Sequence, residues 1–179
     1  MINKIALVGG THGNETSGIQ LIHNWQSEGF SDALSSRYSS LDVSLTIANP
    51  DALSANVRFV EEDLNRQFTL EALSNSSDAK EAKLAKKLNQ QFGPKGNSTT
   101  DLVIDIHMPE ANILLEDEKP YLEHGYLCTT GKRGVMIEVG AQPQGVLRED
   151  VYLLTQTMAE VILDFCQAYN TDSLEQYPE

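Results

Sequence analysis

At 179 residues, with 13 basic and 26 acidic side chains, the chain is short and carries a formal charge of −13. That length predicts one domain, and 40% apolar with 22% charged residues excludes a disordered chain. The acid is concentrated late: residues 1–100 hold 9 basic and 11 acidic groups, residues 101–179 hold 4 and 15. With no basic stripe, nucleic acid is excluded as a partner, and an anionic membrane surface is repelled. Cys128 and Cys166 are too few for a disulfide framework and read as reduced thiols. The apolar run near the N-terminus stops after four residues, too short for a signal-peptide core, and no stretch approaches the roughly 20 apolar residues of a membrane span. These features predict a cytoplasmic protein.

In chain order, Ile5 to Val8 is a continuous apolar run that predicts a strand buried on both faces. The loop Gly9-Gly-Thr-His-Gly-Asn14 follows, then a helix from about Glu15 that buries Ile19, Ile22 and Trp25 and stops at Gly29. Asp42 to Ala48 alternates, with Val43, Leu45 and Ile47 on one side, and Asn49-Pro50 ends that strand. Asp78 is placed to cap a helix running to Phe92, with Leu84, Leu88 and Phe92 inward and Lys80, Lys83, Lys86 and Lys87 as a solvated face. Asp101 to His107 and Gly134 to Val139 read as two further buried strands. The last helix, about Glu149 to Tyr169, is expected to bury Val151, Leu154, Met158, Val161, Ile162 and Phe165. Strands alternating with helices predict an α/β domain with a mixed, largely parallel sheet flanked by helices, over residues 1–170, and a tail at 171–179.

Four places carry candidate chemistry. His12 and Glu15 stand three apart where the first strand gives way to the first helix, outside the C-terminal end of a sheet strand, where ligands of α/β sheets gather. Imidazole with carboxylate suits zinc; a loop histidine beside a glutamate favoured at a helix N-terminus fits the same residues. His107 ends a buried strand at the same kind of position. Asp105, two residues earlier, shares its face and is placed to orient His107 or a facing ligand such as His12. Glu138 closes the Gly134–Val139 strand, as a general base or as half of a salt bridge. Arg58 to Arg66 packs two arginines, Asn65 and three acids into nine residues. Arginine grips carboxylates through a two-pronged fork; the alternative is a solvated charged loop, the reading given to Glu61 and Glu62. His23 and His124 read as surface or loop residues.

Taken together, Gly9 through Glu15, Asn49-Pro50, Arg58 through Arg66, Phe92-Gly-Pro-Lys95, Asp105-Ile-His107 and Ile137 through Val146 resemble the aspartoacylase/succinylglutamate desuccinylase family, in the family's order. The resemblance implies a zinc carboxypeptidase-like fold and one zinc ion per subunit held by His12, Glu15 and His107. It implies Glu138 as general acid/base and Arg58 as the group that polarises the scissile carbonyl. Asn65 and Arg66 become binders of substrate carboxylate, with Asp63 and Asp105 supporting the site. The expected reaction is deacylation of a small anionic N-acyl amino acid, N-acetyl-L-aspartate first. A metallocarboxypeptidase-like peptidase and a catalytically silent zinc-binding domain are the alternatives, and homo-oligomerisation is left open.

The chain also departs from the family pattern. Met108-Pro109-Glu110 replaces an Asn-Thr-Thr run after the third ligand, and only thirty residues separate His107 from Glu138, where the family has more. Cys128 aligns with an arginine that reads a side-chain carboxylate, leaving Lys132 and Arg133 as the nearest cations in sequence. The family's C-terminal β-domain is expected to have no counterpart within residues 171–179.

Overall fold

A computed structural model of the protein describes residues 1–27, 30–108 and 120–176. The expected helix stop at Gly29, and Pro109-Glu110 after the third candidate ligand, lie outside them. Four strands, β1 (Lys4–Gly9), β2 (Asp42–Ile47), β3 (Leu102–His107) and β4 (Arg133–Glu138), form one sheet in the order β2-β1-β3-β4. All neighbouring pairs among them are parallel. Among the described residues, six helices join or flank them: α1 (Thr16–Ser27), α2 (Phe30–Arg37), α3 (Pro50–Ala55), α4 (Leu70–Ser74), α5 (Lys80–Phe92) and α6 (Glu149–Asn170).

The sheet separates two apolar clusters. Ile5, Leu7, Ile104, Ile106 and Ile137 face α1 and α6, where Leu21, Ile22, Trp25 and Leu163 close over them. Ala6, Val8 and Val103 face the other way, against Leu64, Phe68, Leu88, Phe92 and Leu127. Apolar side chains on both faces are what a central parallel strand requires, and β1 and β3 are buried almost throughout. Close approach of α1 to β3 depends on Gly18, where a Cβ would lie 2.8 Å from Ile106 Cγ2.

Three expectations about the helices are corrected. Asp78 does not cap α5. It pairs with Lys83 at 2.9 Å in solvent, while Ala79 holds the cap position and offers no side-chain bond. The Lys80 N–H at the start of α5 is instead bonded by Glu61 Oε2 at 2.8 Å, so Glu61 is more than a solvated charge. Asn49-Pro50 does not merely end β2: it opens α3, with the Asn49 side chain accepting from the Ala52 N–H and proline at the first helical position.

The third correction concerns α6. Its buried positions are Val151, Thr155, Ala159, Leu163, Cys166 and Ala168, while Leu154, Met158, Val161 and Phe165 point outward, 41–52% exposed. Two apolar stripes compete on this helix. The mostly small one wins because it lets α6 approach α1 and β4 closely. Asn170 then ties the end of α6 to the N-terminus, its Oδ1 accepting the Ile2 N–H and its Nδ2 donating to the Ile2 carbonyl, each at 2.8 Å. Beyond the expected boundary at residue 170, Leu174–Gln176 forms a short 3-10 turn.

At the N-terminal edge of the sheet, Asp101 accepts the N–H groups of Asn3 and Lys4 at 3.0 Å each and pairs with Lys132 at 2.6 Å. Burial opposes its charge, but Lys132 and the two N–H groups outweigh that and hold the carboxyl down to about 2. A folded value below the unfolded one of about 3.9 means stabilisation that is complete above the unfolded value and lost as pH falls towards 2. Asp101→Asn is therefore expected to lower Tm at neutral pH and to flatten the acid limb of stability between about pH 4 and pH 2. Thermal melts across that range check it; an unchanged acid limb would show that Asp101 does not anchor this edge.

Candidate metal centre

The site forms at the opposite, C-terminal edge of the sheet. The parallel register sets β1 beside β3, so the loop leaving Gly9 and the end of β3 meet. His12 and His107 consequently lie with ring centroids 5.0 Å apart, both buried. Gly13 lets the loop pass against α3: a Cβ there would fall 2.0 Å from the Ala52 carbonyl carbon. Its N–H donates to the Arg58 carbonyl at 3.2 Å, which joins the loop to the segment carrying Arg58.

Glu15 occupies the centre. It precedes α1, its N–H bonded back to the His12 carbonyl, so the spacing of three falls across a turn rather than inside the helix. Oε1 lies 2.7 Å from His12 Nδ1, and Oε2 lies 3.0 Å from His107 Nδ1 and accepts the Met108 N–H at 3.1 Å. The two outer nitrogens have their own carboxylates. His12 Nε2 is 2.9 Å from Asp63 Oδ1, and His107 Nε2 is 2.8 Å from Asp105 Oδ2. Asp105 thus serves His107, and Thr11 Oγ1 donates to its other oxygen at 2.7 Å. That answers how an aspartate is tolerated in a buried strand: both of its oxygens are engaged.

The electrostatics follow from this chain of opposite charges. Burial works against charge on Glu15, but the two imidazoles outweigh it and hold the carboxyl down to about 2. Asp63 is likewise opposed by burial and held down to about 2 by His12 and Arg58. Both histidines rise above the ordinary imidazole value, His107 well above, because Asp105, Asp63 and Glu15 overcome the burial penalty. One donor atom each from His12, Glu15 and His107 lies within 4.8 Å of the others. Two imidazole nitrogens facing one carboxylate, with carboxylates orienting the outer nitrogens, is a donor set suited to zinc, and a cation there would replace protons.

The remaining expected residues surround this buried set. Arg58 bridges Glu15 Oε1 at 3.5 Å and Asp63 Oδ2 at 3.6 Å and stays 40% exposed. Glu138 ends β4 in register with His107, on the same face of the sheet, and is exposed. Arg66 is exposed, lies over the Tyr126 ring and donates to the Asn65 carbonyl at 3.0 Å. Asn65 is buried: its Oδ1 accepts the Leu127 N–H at 2.9 Å, and its Nδ2 lies 3.4 Å from His107 Nε2. Its amide oxygen is engaged within the chain, while its Nδ2 lies beside His107, whose Nε2 is already paired with Asp105.

Cys128 lies in the second apolar cluster, and burial pushes its thiol up to about 12. Lys132 is committed to Asp101 at the far edge of the sheet, where Arg133 also begins β4. Neither supplies positive charge to the site. His23 is exposed, and His124 stacks on Tyr126.

Two buried charges escaped the sequence reading. Glu81, on α5, accepts the N–H groups of Val60, Glu61 and Glu62 at 2.7, 3.2 and 3.1 Å and the Asn49 amide at 3.3 Å. Burial opposes its charge, and these four donors lower its pKa nonetheless. It therefore holds the loop that presents Arg58 and Asp63. Lys95 donates to the Phe68 carbonyl at 2.8 Å, to Thr129 Oγ1 at 2.7 Å and to the His124 carbonyl. Burial pushes it down to about 8. It joins the segment after Arg66 to the one carrying Tyr126. The available signal for Glu81 was its place among the inward positions of α5, four before Ala85. Lys95 stood in a segment that carries the family resemblance, but its role was not readable, because its acceptors come from segments remote in sequence.

Glu81→Gln places an amide N–H against backbone donors and is expected to cost about 1–3 kcal/mol of stability. Amide hydrogen exchange at Val60, Glu61 and Glu62 should accelerate more than in α5. Uniform exchange across both segments would show that the carboxylate does not hold the loop.

Comparison with known proteins points to one family. The family described as the succinylglutamate desuccinylase/aspartoacylase catalytic domain matches residues 1–116. A protein of Trichodesmium erythraeum named probable aspartoacylase is 33% identical over 203 aligned positions, covering 97% of this chain and 68% of that protein. An N-acyl-aromatic-L-amino acid amidohydrolase of Xenopus laevis is 32% identical, covering 94% of this chain and 65% of its own length. The crystal structure of murine aminoacylase 3 superposes with a TM-score of 0.81 at 30% identity, covering 95% of this chain and 66% of that one. The chain thus spans about two thirds of the length of these relatives.

Proposed function

We propose that this chain, which belongs to the succinylglutamate desuccinylase/aspartoacylase catalytic-domain family, is a zinc-dependent amidohydrolase acting on small anionic N-acyl amino acids. The observation that carries the reading is the buried His12–Glu15–His107 set at the C-terminal edge of the sheet, with its donor atoms within 4.8 Å of one another. When bound, zinc supplies Lewis acidity, polarising a carbonyl and acidifying water. Glu138, exposed beside His107, takes the proton from the attacking water and passes it to the leaving amine. Arg58, half open to solvent and anchored on Glu15 and Asp63, faces the negative charge that develops on the acyl oxygen. Arg66 binds the amino-acid carboxylate through its exposed guanidinium, with the Asn65 amide nitrogen as a second donor, while Asn65 Oδ1 holds the Leu127 backbone.

N-acetyl-L-aspartate is the first substrate proposed. Relatives with names for aspartoacyl and N-acyl-aromatic substrates match about equally well, and a panel of both kinds, with N-succinylglutamate, distinguishes them. Among the described residues no helix is long and apolar enough to cross a membrane, and the reduced thiols of Cys128 and Cys166 support a cytoplasmic setting within this proposal.

Metal analysis of the purified chain is expected to find one zinc per subunit, with His12→Ala or His107→Ala each losing it, since removing one of three protein ligands weakens binding severely. Full zinc content in both variants would remove the site from these residues. Glu138→Gln should retain zinc and lose roughly 10²–10⁴-fold in turnover on the best substrate of the panel. Near-normal turnover in that variant would return Glu138 to a structural role, and zinc with no turnover of any panel member would favour a silent zinc-binding domain.

A further inference from the structure

We propose that Lys95 is a positioning residue for Arg66: it locks together the two chain segments that hold the Arg66 guanidinium, and so sets how tightly the chain binds the carboxylate of its substrate. The inference rests on the reading of Arg66 as the carboxylate binder. Arg66 ends a short 3-10 turn, Leu64–Arg66, and its long side chain is exposed. A loose arginine grips a carboxylate weakly, because ordering it costs side-chain entropy. Two contacts restrain it here. Its Nη1 donates to the Asn65 carbonyl at 3.0 Å, and its Cζ lies 5.1 Å from the centre of the Tyr126 ring. The second contact depends on where residues 64–68 sit relative to residues 124–130.

Four features fix that relation. Asn65 Oδ1 accepts the Leu127 N–H at 2.9 Å, and the Phe68 N–H donates to the Gly125 carbonyl at 3.1 Å. Gly125 lies directly against Arg66: a Cβ there would come 3.0 Å from the Arg66 carbonyl oxygen and 3.2 Å from its Cα. The fourth is the Lys95 ammonium. It donates to the Phe68 carbonyl, two residues beyond Arg66, to the His124 carbonyl, two residues before Tyr126, and to Thr129 Oγ1. One buried group thus bonds both segments and uses its three N–H donors to do so. A buried ammonium is costly, and an apolar side chain would serve if only bulk were needed. The charge strengthens each of these bonds.

Lys95 is itself aimed by α5. Its N–H donates to Asn89 Oδ1, in the last turn of that helix, at 2.8 Å. The first turn of the same helix carries Glu81, which holds the loop of Arg58. α5 therefore stands behind both arginines, with Glu81 at one end and Lys95 just past the other. Removing Lys95 disturbs only the arginine assigned to the carboxylate, so substrate binding weakens while the chemistry is left intact.

Zinc-loaded Lys95→Met, assayed on the best substrate of the panel, is expected to raise KM about tenfold or more while kcat stays within about twofold. Amide exchange should accelerate at Phe68 and Leu127, which donate across the two segments, and stay unchanged at Val60, Glu61 and Glu62, which Glu81 holds. Gly125→Ala removes no buried bond and pushes on the Arg66 backbone. It should raise KM in the same direction, and it carries the test if Lys95→Met fails to fold. Arg66→Ala should raise KM by itself, and adding Lys95→Met should raise it no further. Additive losses in that double variant, or a loss in Lys95→Met confined to kcat, overturn the proposal. A raised KM in Arg66→Ala beside a normal one in Lys95→Met and Gly125→Ala overturns the positioning role alone. A normal KM in Arg66→Ala removes the carboxylate reading of Arg66 and this proposal with it. If no panel member is turned over, the Kd of N-acetyl-L-aspartate from calorimetry replaces KM in each comparison.

Discussion

The carboxylate of Glu15 is the constraint on which the site depends. Burying it is costly unless every lone pair finds a donor, and here the donors come from three directions. His12 arrives from the loop after β1, His107 and the Met108 N–H from the end of β3, and Arg58 from the loop after α3. One side chain therefore ties together segments up to 93 residues apart. The adjacency of β1 and β3 in the sheet makes this possible, and the absence of a Cβ at Gly13 lets the loop sit close enough to α3.

Around that centre, the buried imidazoles are held in place while Arg58, Arg66 and Glu138 are left open. Asp63 and Asp105 fix the outer imidazole nitrogens; such partners orient a ring and raise its basicity. Glu81 and Lys95 act one layer further out. Among the described residues, neither has an opposite charge bonded to it, and each is satisfied instead by backbone and neutral side-chain groups of neighbouring loops. Loops are ordinarily the mobile parts of a fold; these two charges remove that freedom where Arg58, Asp63 and Tyr126 are presented. Arg58, Arg66 and Glu138 keep solvent access at the rim.

Much of this was legible in the residues. The four strands, the helices α1, α5 and α6, and the inward faces of α1 and β2 were readable because each rests on a local pattern of apolar runs or period, whereas α2, α3 and α4 were not read. His12, Glu15 and His107 were marked by their positions after strands, and the family resemblance was needed to group them as a candidate ligand set. The misreadings share a cause. Asp78 looked like a cap because capping residues are common there, yet the competing Glu61 lies nineteen residues from the N–H it bonds. α6 carries two apolar stripes, and periodicity alone cannot rank them; the narrower, smaller-residued stripe packs because helix approach distance depends on side-chain size.

The sequence by itself determined which chemistry was available: two histidines and a glutamate at strand ends, a fork-bearing arginine segment, and strands apolar enough to be buried on both faces. These are properties of residue type and spacing, which do not need a partner to be read. The tertiary structure decided which oxygen faces which nitrogen, that Asp105 serves His107 and Asp63 serves His12, that the Asn65 amide oxygen is engaged within the chain, and that Cys128 and Lys132 stand apart from the site. It also decided that Glu81 and Lys95 hold loops and that the larger apolar stripe of α6 faces solvent. Such assignments depend on contacts between residues tens of positions apart, and only the packing of the sheet and its helices sets those distances.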